Sequence, residues 1–385
     1  MSEYQYYEFL AIDRPLDEDE QAEVRALSTR AVITSTSFIN EYEWGDFRGD
    51  PARLMERYYD AHLYLANWGT HRLMLRLPRA LLPLKTAQQY CVSDQVTAWV
   101  SGEHLILDLS SEDEEGDWEE DAERSLAAMV GVRAELAAGD VRPLYLAWLA
   151  AYGAWERDED AFDYADEDEL EAPVPPGLGS LTAPQRALAG FLRLDADLLS
   201  VAATASPPLT GDDPQNLAAW IAGFPAAEKD ALLLRVAQDH AAAVRAELLR
   251  RFRASAAPQE GPRRTVAALL DAAAVRRAER DRQAAARHAE EQTRRERERA
   301  LARERRLSDL AEDEEAAWAR AEALIATKRP GEYDEAVELL KDLETLAHAA
   351  DRTAAFSERF TDLQARHSRK PSLIERFNRA GLKPA

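Results

Sequence analysis

Four side chains in the first third of the chain have the chemistry of a metal site: His62, His71, Cys91 and His104. Imidazole nitrogen and thiolate sulfur are zinc ligands, but these spacings match no ligand pattern. The plainer reading makes them isolated hairpin histidines and a small buried thiol. Acidic groups suggest a second chemistry. Asp46 and Asp50 beside Trp44, or the run Glu112 to Glu115, resemble the paired carboxylates of a Mg²⁺ site. A nuclease of that kind wants a nearby lysine, and Lys85 is the only one in the first 180 residues. No phosphate loop, dinucleotide fingerprint, HExxH, EF-hand loop or G-x-S-x-G is present. No catalytic residue, cofactor or metal is assigned, and no small-molecule ligand is implied.

Two features point to recognition instead. The segment EYEWGDFRGD (41–50), with Trp68 and Trp99, offers aromatic and arginine side chains of the types that dominate protein interfaces. Trp44, Phe47, Arg48 and Trp68 are the candidate interaction residues. The competing reading puts the same rings in the core. The second feature is the arginine run 276–306, in which no apolar side chain occurs between Ala289 and Ala300. Such a stretch has no face to bury, yet Ala, Arg, Glu and Gln favour helix. It reads as a solvated helical rod. Arginines there could also meet nucleic-acid backbone, but over residues 261–308 eight acids are interleaved with 14 bases and no aromatics offer stacking. A fold-back of the rod onto the acidic segment 156–171, as a salt-sensitive clasp, is a further option.

Charge is unevenly placed. Residues 1–180 carry 38 acids and 14 bases, a balance of −24, against −23 for the whole chain. That field repels nucleic acid and favours solubility or a basic partner. One cysteine excludes an internal disulfide framework. No apolar run reaches the roughly 18 residues of a membrane span, and no basic leader precedes an apolar stretch. A soluble, cytoplasmic protein is expected.

The expected fold class is α+β: an N-terminal antiparallel sheet with helices on one side, then a helical bundle, a long solvent-exposed charged helix and a C-terminal helical hairpin. The domains read as 1–155 (mixed α/β), 156–180 (acidic, Pro-rich linker), 181–256 (bundle), 263–327 (one long helix, roughly 90 Å at 1.5 Å per residue) and 328–385. Strands are expected over 4–12 and 30–40. Hairpins turn at Trp68-Gly69 and Ser101-Gly102. A short helix is expected around 79–91, and two helices at about 118–138 and 141–156 close the unit. Caps are expected at Asp17 with Glu20, at Asp50 before Pro51, at Thr182 with Gln185, and at Ser372 with Glu375. Leu234, Ala237, Ala241, Val244 and Leu248 recur at helical steps, as do Leu144, Trp148, Tyr152 and Trp155. Phe162 and Tyr164 inside the acidic run suggest a docking segment. The rod lacks the a/d heptads of a coiled coil; Ala284, Ala285, Ala286 and Ala289 offer only a weak seam. The break Lys328-Arg329-Pro330-Gly331 separates a helix pair that looks like a single tetratricopeptide-type unit, a helical-hairpin analogy and not a repeat array.

The strings MSEYQYYEFLAIDRPL, FINEYEWGDFRGDP and LYLANWGT, with PSLIERFNRAGL near the end, resemble an uncharacterised family of bacterial cytoplasmic proteins. The resemblance covers the N-terminal domain best. It implies no activity and no functional residue. The expected function is a non-enzymatic protein–protein interaction scaffold or adaptor. The alternatives are a nucleic-acid-associated accessory factor using the arginine helix, and a hydrolase with an unrecognised site in residues 1–155.

Overall fold

The computed structural model describes residues 4–113, 125–153, 169–209, 214–255 and 263–382. The fold is α+β. The chain divides into two compact units, Met1–Arg280 and Asp281–Ala385. No described helix is long and apolar enough to cross a membrane.

The first unit is built on an antiparallel sheet. Its strands are β1 (Gln5–Leu10), β2 (Val32–Ile33), β3 (Ser37–Tyr42), β4 (Ala61–Ala66), β5 (Thr70–Pro78), β6 (Val96–Ser101) and β7 (His104–Glu112), in the order β2-β3-β1-β4-β5-β7-β6. The single strand expected over 30–40 is thus two, because the Thr34 amide turns back to the Ser37 carbonyl. Ser101 pairs with His104, so the second hairpin turns at Gly102-Glu103, with Gly102 at φ +57°. Glycine takes that left-handed conformation without the steric cost of a Cβ.

Helices cover both faces of the sheet, not one. Leu73, Leu75, Leu77, Leu105, Leu107 and Leu109 face one core. It is closed by α5 (Gly131–Ala137), α6 (Arg142–Gly153), α7 (Ala183–Phe191) and α8 (Ala196–Thr204). Phe9, Phe38, Met74 and Ile106 face a second core with Val24 of α1 (Glu18–Arg25) and Leu54 and Met55 of α2 (Pro51–Arg57). The reason lies in the residues alternating with the leucines. Met74 and Ile106 are apolar, and the charges among them are paired: Arg76 with Asp60 at 2.8 Å and Arg72 with Asp108 at 2.5 Å. Paired charges tolerate a covered face where lone ones do not.

The capping boxes of Asp17 with Glu20 and Thr182 with Gln185 are formed, and Asp50 caps α2 ahead of Pro51. The segment 79–91 holds α3 (Leu84–Ala87) and a 3₁₀ turn, Gln88–Tyr90. A short α4 (Ser125–Met129) precedes α5, while Glu114 to Arg124 lie outside the described residues. Leu144, Trp148 and Tyr152 are buried on α6; Trp155, Phe162 and Tyr164 lie outside the described residues.

The Pro-rich end of the segment expected as a linker is packed into this unit. Leu170 forms a β-bridge with Thr265, and Glu171, Ala172 and Leu178 are buried. Glu171 accepts from Arg264 Nε at 2.6 Å and from the Tyr145 hydroxyl. Arg142 donates to the Gly177 and Ser180 carbonyls while paired with Asp140. Backbone acceptors and buried charges hold a segment whose composition alone offers little apolar surface.

Three further helices, α9 (Pro214–Ala222), α10 (Ala226–Arg235) and α11 (Ala241–Ser255), follow. A π-helical turn, Val236–His240, interrupts the long periodic stretch. Val244 beyond it is buried, whereas no residue of α10 before it is, and Leu234 is 59% exposed.

The arginine run lies on α12 (Val266–Glu312), where every residue from Ala274 to Arg306 is exposed. Glu291 and Arg295 pair at 2.6 Å, and Arg294 reaches Glu298 at 3.9 Å. The helix expected to continue to 327 ends at Glu312. Asp313 leaves helical geometry and caps α13 (Glu314–Ala326) by accepting from the Ala316 amide at 2.9 Å.

In the second unit α13, α14 (Pro330–Ala349), α15 (Thr353–Arg366) and α16 (Pro371–Ala380) enclose a core of Trp318, Ile325, Leu340, Phe360 and Phe377 among others. Lys328 turns the α13–α14 pair at φ +61°, and Gly381 ends α16 at φ +80°. Ser372 does not cap α16. Pro371 occupies the first helical position, where its missing N–H costs nothing, so Lys370 becomes the N-cap. Ser372 Oγ accepts from Arg376 instead.

Candidate functional site

β1 is flanked by β3 and β4, and Gln5 at its start pairs with Tyr42 and Ala66. The loop after Tyr42 carries Trp44, Phe47 and Arg48; the turn after Ala66 carries Trp68. Two of the four candidate residues, Trp44 and Trp68, therefore leave the sheet at the same end, two strands apart.

The four divide by burial. Phe47 is buried against Tyr7 at 5.2 Å and Phe38 at 5.6 Å between ring centroids. Trp44 is 67% exposed and Trp68 42% exposed, and Arg48 is exposed. Phe47 thus anchors the loop and Trp44 is displayed by it. Gln5 is the second anchor. Its amide donates to the Gly45 carbonyl at 3.1 Å and to Asp46 Oδ1 at 2.8 Å, and its oxygen accepts from Tyr7 at 2.7 Å and Tyr64 at 3.1 Å. Burial, with Tyr64 and Asp46 close by, pushes the Tyr7 hydroxyl up and keeps it a donor. Gly49 completes the fit: a Cβ there would lie 2.4 Å from the Phe47 ring. The Arg30 guanidinium stacks over Trp44 at 4.5 Å, and Val32, two residues on, is 65% exposed. The loop presents an indole and a cation on a fixed base. Sequence reasoning missed Gln5, Arg30 and Val32; alternation along QYYEF was the available signal for Gln5.

The residues with metal or acid–base chemistry do not come together. Among the described residues no three His, Cys, Asp or Glu side chains are grouped to hold a metal ion. His62 is buried, stacked on Phe9 at 3.8 Å, and its Nδ1–H donates to the Glu8 carbonyl at 2.9 Å. Burial holds its pKa down to about 3. His71 Nδ1–H donates to the Phe191 carbonyl at 2.7 Å, and its Nε2 accepts from Arg193 at 2.9 Å. It ties the sheet to α7. Burial depresses the pKa of half-buried His104 and raises that of the Cys91 thiol. Asp50 is committed to its cap and Asp46 to Gln5. Glu112 ends β7; Glu114 and Glu115 lie outside the described residues.

Among known proteins, no family model, curated relative or solved structure matches this chain.

Buried charge is spent on architecture. Asp60 Oδ1 accepts both Nε and Nη2 of Arg76, and its Oδ2 accepts the Ile12 and Asp13 amides at 2.7 and 2.9 Å. Burial raises the Asp60 pKa, but these donors outweigh it and hold the group below the ordinary range. Arg133 joins from α5, bonding the Arg76 carbonyl and Asp13. The arginine run begins in the same way. Arg276 and Arg280 reach Asp197 at 3.4 and 2.5 Å, and Arg277 reaches Asp195 at 2.5 Å.

Proposed function

We propose that this chain is a non-enzymatic protein–protein interaction scaffold, an adaptor subunit of a bacterial cytoplasmic complex, with the 43–50 loop as its first contact point. The observation that carries this reading is the display of Trp44 on a loop anchored by Gln5 and Phe47. Trp and Arg side chains held rigidly at a surface lose little entropy on binding and contribute most of the energy in many interfaces. Two units with separate cores on one chain support it, since each can bear a surface of its own.

The test is affinity capture of the tagged full chain from its native host, beside a Trp44→Ala variant. The reading expects one protein retained in stoichiometric amount by the parent and depleted with the variant. Equal retention by both, or a purified chain that turns over a substrate unaided, would overturn it.

A further inference from the structure

A groove of about 490 Å³ lies in the second unit between the end of α12 and α14. Arg299, Arg303 and Arg306 line it from α12, and Glu338, Lys341 and Asp342 from α14. Ala302 between the arginines keeps its floor low. The charges are not equivalent. Arg306 is neutralised by buried Asp342 at 2.5 Å, and Lys341 by Glu338 at 3.2 Å. Arg299 and Arg303 have no ion-pair partner among the described residues. One helical turn separates them, so their guanidinium groups rise from neighbouring points of one face, with Cβ atoms roughly 6 Å apart.

We propose that this groove binds an acidic helical peptide, with two carboxylates spaced one turn apart received by Arg299 and Arg303. Guanidinium takes carboxylate in a two-pronged hydrogen-bonded pair, which fixes orientation as well as charge. The number of open charges decides against a polynucleotide. Of the four cations lining the groove two are already paired, which leaves too few for an unbroken run of phosphates but matches two peptide carboxylates. None of the seven lining side chains offers a ring for base stacking. The inference stands on the groove alone and does not need the 43–50 loop to bind anything.

The experiment is fluorescence anisotropy of a labelled glutamate-paired helical peptide of about sixteen residues, titrated with the full chain at low ionic strength. Two double variants carry the same charge change: Arg299→Glu with Arg303→Glu inside the groove, and Arg287→Glu with Arg297→Glu elsewhere on α12. All four side chains are exposed. The proposal expects saturable binding that the first variant weakens about tenfold and the second leaves nearly unchanged. It is overturned by absence of binding to the parent chain, by equal loss in both variants, or by displacement of the peptide by single-stranded DNA or inorganic phosphate at concentrations below the peptide's own.

Discussion

The guanidinium of Arg277 lies 2.5 Å from Asp195 Oδ2, while Oδ1 of the same carboxylate caps α8 by accepting the Asp197 and Leu198 amides at 2.7 and 2.9 Å. One side chain therefore starts a helix and holds the root of another. Burial opposes its charge, but the amides and Arg277 outweigh it and hold its pKa below the ordinary range. Asp195→Ala is expected to cost about 1–2 kcal/mol, most of it the lost cap. Asp195→Asn keeps an equally good cap and should cost under about 1 kcal/mol, the worth of a partly exposed ion pair. Urea unfolding of both variants checks this. Equal losses would show that the cap is not the larger share.

Asp60 carries more. Its side chain is fully buried, and Arg76 beside it is 7% exposed. Asp60→Asn leaves a buried guanidinium without its counter-charge, a loss of about 3–5 kcal/mol. The midpoint of chemical denaturation should fall accordingly, well beyond the Asp195→Ala effect. A change under about 1 kcal/mol would mean that water reaches the site.

His62 makes stability depend on pH in a defined window. Its folded pKa is about 3 against an ordinary 6.5, so the unfolded chain binds the proton first. Its contribution is complete above about 6.5 and is lost as pH falls toward 3, by about 1.4 kcal/mol per unit at the steepest. Between pH 6.5 and 4.5 most carboxylates are still ionised. There His62→Gln should flatten the fall in stability measured by denaturant titration. An unchanged slope would put a solvent path to the ring.

Three arginines at seven-residue steps, the N-cap Arg352 of α15 and two on the helix itself, pair with α13: Arg352 with Glu314 at 2.5 Å, Arg359 with Glu315 at 2.6 Å and Arg366 with Glu322 at 2.8 Å. Hydrogen bonds from these arginines hold Glu315 and Glu322 below the usual carboxylate range. Their stabilisation is present above the ordinary glutamate pKa and is lost as pH falls through the depressed values. The pairs are exposed, so salt should erase most of it. Arg359→Gln with Arg366→Gln should lower the melting temperature at low ionic strength and leave it nearly unchanged in 1 M NaCl. A loss that persists in high salt would point to packing, such as Arg359 over Trp318 at 4.6 Å.

Local signals in the sequence were legible. Asp17 with Glu20, Thr182 with Gln185 and Asp50 before Pro51 act within four residues, and each formed as expected. The leucine alternation of β5 and β7 located the first core. Long-range pairing was not legible. Nothing near Asp60 marks Arg76 as its partner, and a covered second face follows only once that pair forms. Asp313 sits in a helix-friendly composition, and its cap competes with the helix by one hydrogen bond. Ser372 with Glu375 read as the start of the last helix, but Pro371 takes the first helical position, where its fixed φ is already helical. At the candidate site, the aromatic run 41–50 was visible as a set. Which ring anchors and which is displayed depends on Gln5, which meets the loop across 40 residues.

The most direct test of the interaction reading is a photo-reactive amino acid placed at Trp44 in the full chain, irradiated in host cells and read by mass spectrometry, with the exposed Glu18 of α1 as the control position. The account predicts one dominant protein adduct at 44, absent at 18 and reduced when Phe47→Ala frees the loop. The same scatter of adducts from both positions, or none from 44, would contradict it.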